Sequence, residues 1–150
     1  MASLHLIAVG KLKDKHLEAI ENDYLKRIKN PRLQIHEVKA RAENKNLEGS
    51  EILKKISTLS QNPFICIMTE FGEIYESPKF SSWIYRNLEK HNDLFLVICG
   101  AEGPSDELIS KSHAKLSLSP LTFPHKIARI LLVEQLYRAQ TIFEGHPYHN

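Results

Sequence analysis

The sequence is poor in the residues and runs that mark several protein classes. Its 150 residues include only two cysteines, Cys66 and Cys99, too few and too far apart for a disulfide scaffold or a four-ligand zinc site. No apolar run approaches the ~20 residues of a membrane span, and the chain does not open on a signal peptide. We therefore expect neither a membrane protein nor a secreted one, but a reduced protein of the cytoplasm.

Charge of one sign is also scarce, because 20 Lys and Arg stand against 18 Asp and Glu. The charges are unevenly distributed along the chain. Residues 1–60 hold 12 Lys and Arg against 8 Asp and Glu, a net charge of +4, whereas residues 61–150 hold 8 against 10, a net charge of −2. Such a basic half is compatible with a nucleic-acid partner but is far from a basic arm that would indicate one.

Strand-like and helix-like segments alternate along the whole chain. Apolar runs typical of strands occupy residues 4–9, 33–38, 64–68, 94–99 and 116–118. Helical spacing predicts helices at residues 14–29, 47–59 and 126–143, and Ser77 and Ser105 are predicted N-caps of two more. Residues 71–73 (Phe-Gly-Glu) are expected to form a turn. The alternation predicts one α/β domain over residues 1–150, with a mostly parallel sheet and helices on both faces.

The C-terminal helix predicted at residues 126–143 is apolar on nearly every side. An ordinary surface helix keeps one face polar, whereas a helix that is apolar all round must be covered on both sides. In so small a domain the second cover is most easily another subunit, so we expect a symmetric homodimer that packs through this helix. The alternative is a central core helix in a monomer.

The first candidate site is the turn that follows the apolar run at residues 94–99. Gly100 and Gly103 lie between this predicted strand and the helix capped by Ser105. Ligands of open α/β sheets bind beyond the carboxyl ends of strands, where glycine lets the backbone approach them. The turn lacks the G-x-G-x-x-G pattern of dinucleotide sites and the lysine of a P-loop. A plain turn without a ligand is the alternative.

The second candidate is the unusually apolar loop at residues 119–125. Exposed Leu121 and Phe123 would be costly, so we expect them to line a pocket or a core. Apolar side chains beside free backbone N–H and C=O groups suit an adenine ring. The alternative is that these side chains only staple the loop onto the last helix.

The third candidate is a set of polar groups that converge on the C-terminus. Aromatic, imidazole and guanidinium groups together suit stacking on an RNA base and holding its phosphate; a frayed tail is the alternative. The set consists of Arg129, Glu134, Arg138, His146, Tyr148 and His149. Arg129 and Arg138 lie on opposite sides of the predicted helix and cannot share one patch, whereas Glu134 and Arg138 have the spacing of an ion pair.

A zinc site and a cysteine hydrolase are two further alternatives, and the sequence offers little support for either. His125, His146 and His149 have no evident fourth partner for a zinc site, so we expect no metal. A cysteine hydrolase would use Cys99, because a position before a helix N-terminus can lower the pKa of a thiol, with His113 or His125 as its base. Nothing in the sequence places a third group to orient such a pair.

These segments together resemble the large-subunit ribosomal RNA methyltransferase H family, a family of the SPOUT class. The matching segments are Leu-Ile-Ala-Val-Gly-Lys near the start, the turn Ile-Cys-Gly-Ala-Glu-Gly, the run Leu-Ser-Pro-Leu-Thr-Phe-Pro-His that ends at His125, and later Val-Glu-Gln-Leu-Tyr-Arg-Ala and Pro-Tyr-His. The resemblance implies a SPOUT fold with a C-terminal trefoil knot, a homodimer, and S-adenosylmethionine as methyl donor. It also implies methylation of N3 of a pseudouridine in helix 69 of 23S rRNA, with the assembled ribosome as substrate.

The resemblance also assigns residues, position by position. The implied cofactor contacts are Met68, Cys99, Gly100, Gly103, Leu118, Ser119, Pro120, Leu121, Thr122 and Phe123. Five residues match substrate-side positions of the family: His125, Arg129, Arg138, Tyr148 and His149. Of these we take His125 and His149 as the candidate catalytic residues, and we add His146 of the C-terminal polar set to the candidate substrate contacts Arg129, Arg138 and Tyr148. Two departures from the family pattern matter. Cys99 replaces the first glycine of the usual pair and would narrow the pocket if its side chain pointed inward, and Ala101 and Pro120 vary within the two loops.

The implied chemistry leaves roles open. The N3–H of pseudouridine is a weakly acidic imide, so methyl transfer requires removal of its proton, and the imidazoles of His125 and His149 are candidate bases. Basic residues of the N-terminal half form a candidate rRNA-facing surface, with ordinary solvated helices as the alternative: Lys11, Lys13, Lys15, Lys26, Arg27 and Arg32. A non-catalytic ribosome-binding module of the same fold and a small-molecule enzyme that uses Cys99 are the competing functions.

Overall fold

The computed structural model describes residues 2–150, the whole chain except Met1. Within these residues the strands are β1 (Ser3–Val9), β2 (Leu33–Val38), β3 (Phe64–Ile74), β4 (Asp93–Ile98) and β5 (Ala114–Ser117). The helices are α1 (Lys15–Arg27), α2 (Lys45–Leu59), α3 (Ser77–His91), α4 (Asp106–Lys111) and α5 (His125–Phe143), followed by a 3-10 turn at Pro147–His149. Every predicted strand and helix is present, with ends that differ by a few residues.

The five strands form one parallel sheet in the order β2-β1-β4-β3-β5. Because parallel neighbours cannot be joined by hairpins, helices connect them over the faces of the sheet. All five strands therefore end along the same edge, called here the carboxyl edge, where ligands of such sheets bind. The predicted α/β domain with a parallel sheet is confirmed.

Helices cover both faces of the sheet, as predicted. On one face α1, α3 and α5 bury a core that includes Leu6, Trp83 and Leu132. On the other face α2 and α4 bury a smaller core that includes Phe95 and Leu108. Central strands with apolar residues on both faces explain the continuous apolar runs of β3 and β4.

Strand β3 runs further than the sequence predicted. The expected turn at residues 71–73 lies inside the strand, which continues to Ile74. Met68 and Glu73 both pair with Leu116 of β5, so residues 69–72 bulge out of the ladder. A Cβ added to Gly72 would lie 2.6 Å from backbone atoms of Leu116, so the pairing requires glycine there. The predicted turn was wrong because its strand partner is distant in sequence.

The helix caps were predicted with mixed success. Ser105 is the N-cap of α4, since its hydroxyl accepts a hydrogen bond from the Leu108 backbone N–H at 3.1 Å. Ser77 is not the N-cap of α3: Glu76 holds that position without a side-chain hydrogen bond. The Ser77 hydroxyl instead donates to Gln135 of α5 at 2.8 Å, so it joins two helices rather than ending one.

Helix α5 is partly covered by the sheet and partly open. Leu132, Val133 and Leu136 are buried, whereas Ile127 and Leu131 keep 40% and 38% of their surface exposed. The helix thus has apolar residues on its outer side, as the all-round pattern predicted. Among residues 2–150 no helix is both long and apolar enough to cross a membrane. The C-terminal trefoil knot implied by the resemblance stays a prediction.

Candidate functional site

A groove of about 920 Å³ opens at the carboxyl edge, beyond the ends of β3, β4 and β5. Its volume lies within the range of roughly 300–1,000 Å³ that is usual for small-molecule sites. Three segments line it: the end and bulge of β3 at residues 67–71, the glycine turn at residues 98–104, and most of the loop at residues 118–125. The structure thus brings together the two loops that the sequence singled out.

The glycine turn presents its backbone to the groove. A Cβ added to Gly100 would lie 2.8 Å from the Oε1 atom of Glu48, a carboxylate on α2 that is only 7% exposed. Gly103 adopts a φ of +79°, which favours glycine, and its N–H donates to the Gly100 carbonyl at 3.0 Å. A side chain at position 100 would therefore have to displace the carboxylate of Glu48, and the backbone conformation at position 103 disfavours any residue but glycine.

The apolar loop is shaped by serine hydroxyls. The Ser117 hydroxyl accepts from the Ser119 N–H at 3.1 Å and donates to the Ser119 carbonyl at 2.8 Å. The Ser119 hydroxyl accepts in turn from the Leu121 N–H at 3.0 Å. These side-chain hydrogen bonds satisfy backbone groups of the loop that have no strand to pair with. Leu121 is left 70% exposed at the groove.

Most predicted cofactor residues line this groove. They are Met68, Cys99, Gly100, Gly103, Leu118, Ser119, Leu121, Thr122 and Phe123. Pro120 belongs to the same loop but does not line the groove. The predicted catalytic residue His125, the first residue of α5, also lines it. The structure places these residues around one space, and their individual contacts with a cofactor stay predictions.

The sequence analysis missed the charged side chains of the groove. These are Lys45, Glu70, Glu102, Asp106 and Lys115. Glu102 lies within the glycine turn and Asp106 follows it, so their charge was visible in the sequence next to a candidate site. Lys45, on α2, and Glu70, in the bulge of β3, reach the groove only through the fold, and no sequence pattern near them predicts this.

The two cysteines are packing residues. Cys99 is buried in the smaller core, and burial, reinforced by the carboxylate of Glu48, raises the pKa of its thiol to about 12. Burial also raises the pKa of Cys66 to about 12. Burial thus outweighs any lowering of the Cys99 pKa by the helix N-terminus that follows it, so the structure disfavours a cysteine hydrolase. Among residues 2–150, no three His, Cys, Asp or Glu side chains are grouped to hold a metal ion.

A second group of polar residues forms what we call the C-terminal cluster: Glu134, Arg138, Tyr148 and His149. The carboxylate of Glu134 accepts from the Arg138 guanidinium and from the Tyr148 hydroxyl, both at 2.8 Å. The guanidinium also donates to Nδ1 of His149 at 3.0 Å and lies 4.9 Å from the centre of the Tyr148 ring. The predicted Glu134–Arg138 ion pair is confirmed, and the tail is fixed rather than frayed. His146 caps the 3-10 turn, since its ring accepts from the Tyr148 N–H at 3.3 Å.

These contacts set the protonation of the cluster. The hydrogen bond to Glu134 raises the pKa of Arg138, and burial together with Glu134 raises the pKa of Tyr148. Tyr148 is therefore a neutral phenol near pH 7. Because a guanidinium can only donate, Nδ1 of His149 accepts and its proton is on Nε2.

Arg129 is not part of either group. Its guanidinium donates to both oxygens of Glu21 at 2.7 and 2.9 Å and to Glu37 at 2.7 Å, and its side chain is 7% exposed. The arginine ties α5 to α1 and β2 inside the protein. Contact with a substrate, as the sequence predicted, would require these ion pairs to break.

The groove and the C-terminal cluster are well separated within one chain. His125 and Arg138 are on the same helix, thirteen residues apart, which corresponds to about 20 Å along its axis. The two residues predicted to be catalytic, His125 and His149, consequently belong to different places. A single chain does not bring them together.

Comparisons with known proteins match nearly the whole chain. A family model described as "Predicted SPOUT methyltransferase" matches residues 2–149. Proteins named ribosomal RNA large subunit methyltransferase H are similar in sequence. That of Prochlorococcus marinus strain NATL2A is 41% identical over 145 residues, 96% of this chain and 93% of the relative. That of Gluconacetobacter diazotrophicus is 37% identical over 150 residues, 97% and 96% of the two chains. That of Clostridium acetobutylicum is 34% identical over 157 residues, 98% and 99%.

Proposed function

The chain belongs to the SPOUT methyltransferase family, and from that membership we propose that it uses S-adenosylmethionine to methylate 23S ribosomal RNA. The target we propose is N3 of a pseudouridine in helix 69, and the substrate is the assembled ribosome. The relatives carry the name ribosomal RNA large subunit methyltransferase H. The single observation that carries the proposal is the groove at the carboxyl edge, which joins the glycine turn to the apolar loop.

The groove has the composition that this methyl donor requires. Apolar side chains such as Met68, Leu118 and Phe123 offer walls to the adenine ring, and the backbone of the glycine turn offers polar groups without side chains in the way. Glu102 and Asp106 supply negative charge opposite a cationic ligand. When bound, S-adenosylmethionine supplies an electrophilic methyl group on a sulfonium centre. The groove remains open beside Cys99, so the departure from the family glycine does not close it.

The chain's own side chains must remove the imide proton of the pseudouridine and hold its nucleobase in place. We assign proton removal to His125, because its imidazole is exposed at the groove and imidazoles are the commonest general bases of enzymes. His149 has a different role, since its Nε2–H is a donor and suits a carbonyl oxygen of the base. Tyr148, a neutral phenol stacked under Arg138, offers a face for the ring.

A homodimer would unite the groove and the C-terminal cluster. With a two-fold axis perpendicular to α5, the C-terminal half of one α5 lies beside the N-terminal half of the other. The exposed side chains of Ile127 and Leu131 support this packing, because they lie on the outer side of α5. A cavity of about 250 Å³, lined by Tyr75, Phe123 and Leu131, opens on the same side next to the groove. Each active site would then take its groove from one subunit and its cluster from the other.

Sedimentation velocity tests the dimer. Leu131→Glu should yield monomers that keep native circular dichroism but transfer no methyl group. Leu47→Glu is the matched control, since Leu47 is 40% exposed on the opposite face of the sheet, and it should remain dimeric and active. A Leu131→Glu monomer with full activity would contradict the shared site.

Methyl transfer from radiolabelled S-adenosylmethionine tests the function itself. Ribosomes from cells that lack the gene should accept the label, and mass spectrometry of nuclease fragments should place it on a pseudouridine of helix 69. Binding to ribosomes without transfer of label would support the non-catalytic module instead. Label on another nucleotide would keep the enzyme class and refute the target.

A further inference from the structure

Positive charge is concentrated at the carboxyl edge beside the groove. The segments at residues 10–16 and 39–46, which follow β1 and β2 and include the first two residues of α1 and α2, together hold six Lys and Arg and two Asp and Glu, a net charge of +4. The rest of the chain holds 14 Lys and Arg against 16 Asp and Glu, a net charge of −2. We call these six residues the basic rim: Lys11, Lys13, Lys15, Lys39, Arg41 and Lys45. The net charge of the fifteen residues in these segments, +4, thus exceeds the net charge of the whole protein, +2.

The two segments form one surface. The Gly10 N–H donates to the Val38 carbonyl at 2.7 Å, and a Cβ added to Gly10 would lie 3.9 Å from the Cβ of Ala40. Lys45, the first residue of α2, lines the groove. The rim therefore extends from the groove across the ends of β2 and β1.

A buried carboxylate fastens this surface to the groove. Glu48 accepts the Arg41 backbone N–H at 2.8 Å through Oε2, and its Oε1 lies against Gly100 of the glycine turn. The same side chain thus touches the rim and the floor of the groove.

The lysines of the rim are available to a ligand. Lys11, Lys13, Lys15, Lys39 and Lys45 are exposed, and within residues 2–150 none of them forms an ion pair. Arg41 alone of the six is paired, with Glu51 at 2.9 Å. Unpaired like charges on one surface repel each other, and a polyanion relieves that repulsion.

From these observations we infer that the basic rim binds the phosphate backbone of the rRNA strand that leads to the target nucleotide. The inference rests on the proposed function and adds to it where the RNA lies. Only part of the rRNA-facing surface expected from the sequence belongs to the basic rim. Lys26 and Arg32 lie at the end of α1 and next to the start of β2, on the opposite edge of the sheet. Those residues are assigned no RNA contact. Phosphate contacts position an RNA without reading its bases, which suits a surface that lies beside the reacting centre and does not itself select the target nucleotide.

Two triple variants test this assignment. The rim variant is Lys11→Gln, Lys13→Gln and Lys15→Gln, and the control is Lys26→Gln, Lys29→Gln and Arg32→Gln, which removes the same charge from the opposite edge. For each protein, the KM for ribosomes, kcat, the Kd for S-adenosylmethionine and cosedimentation with ribosomes are measured over a range of salt concentrations. The cosedimentation does not depend on methyl transfer.

The rim variant should raise the KM for ribosomes and weaken cosedimentation about tenfold, with the salt slope of log Kd reduced by about 2 to 3, since each lost phosphate contact removes about 0.7–0.9. Its kcat and Kd for S-adenosylmethionine should stay within twofold of the wild type, and the control should behave as the wild type. Equal losses in both variants, or none in the rim variant, would overturn the inference. So would normal binding of naked 23S rRNA by a rim variant that binds ribosomes poorly, because a ribosomal protein would then be the partner. Failure of the wild type to methylate rRNA would refute the proposed function, while cosedimentation would still decide the role of the rim.

Discussion

Replacing Arg129 by methionine separates a structural role from a substrate-binding one. The side chain is 7% exposed and joins α5 to Glu21 of α1, which is equally buried, and to Glu37 of β2. Methionine keeps an unbranched apolar stem and favours the helix but removes all three hydrogen bonds. The carboxylate of Glu21 would then be left charged in the interior without a partner.

The expected destabilisation follows from that unpaired charge. Removal of one partner from a buried ion pair typically costs about 3–5 kcal/mol, most of it from the charge left behind. For a domain of this length, 1 kcal/mol corresponds to about 2–4 °C in Tm, so the Tm should fall by roughly 6–20 °C. A second substitution, Glu21→Gln, removes the stranded charge and should recover part of the loss.

Urea denaturation at one fixed protein concentration measures both variants, because a dimer makes stability depend on concentration. Arg129→Met should also bind S-adenosylmethionine and ribosomes nearly as the wild type does at a temperature where it is folded. A loss of stability below about 1 kcal/mol, accompanied by loss of ribosome binding, would refute the structural role and restore the contact predicted from the sequence.

Three further perturbations address the bulge, the cysteines and a buried histidine. Gly72→Ala should destabilise the protein by about 1–3 kcal/mol in urea denaturation, because its Cβ would meet the backbone of Leu116 at 2.6 Å; an unchanged midpoint would refute that close approach. Cys66 and Cys99 should react with Ellman's reagent at pH 8 only as fast as the protein unfolds, since burial raises both thiol pKa values to about 12; rapid reaction of either thiol in the native protein would contradict this. The free energy of unfolding should decrease as the pH falls from 6.5 toward 4, because burial lowers the pKa of His5 to about 4 and the unfolded chain takes up the proton first; a His5→Gln variant with the same pH dependence would contradict that assignment.

The fold was largely predictable because most of its strands and helices are marked by residues within their own segments. Continuous apolar runs marked β3 and β4, and the hydroxyl of Ser105 marked the start of α4. The length of β3 was not predictable, because residues 69–74 belong to the strand only through pairing with β5. Ser77 was misread for the same reason: its preferred partner, Gln135, lies on a helix far along the chain.

The candidate site also has parts that could be predicted from the sequence and parts that could not. The glycine turn and the apolar loop were found because each is a contiguous segment with unusual composition, and both line the groove. Glu48 was not found, because its importance comes from its position under Gly100 and not from its neighbours in sequence. The surroundings of Arg129 were equally hidden, since Glu21 and Glu37 belong to other elements. Whether Arg129 is exposed or buried depends on these two carboxylates, which are distant in sequence.

Calorimetric titration with S-adenosylmethionine tests the central claim that the groove at the carboxyl edge holds the methyl donor. Gly103 and Gly145 provide a matched pair, since both have φ above +70° and an added Cβ would meet no atom within 4 Å at either position. Only Gly103 lines the groove, whereas Gly145 follows the end of α5. We predict that the wild type and Gly145→Val bind the ligand with the same Kd and that Gly103→Val binds at least tenfold more weakly. Equal binding by all three proteins, or no binding by the wild type, would contradict the account.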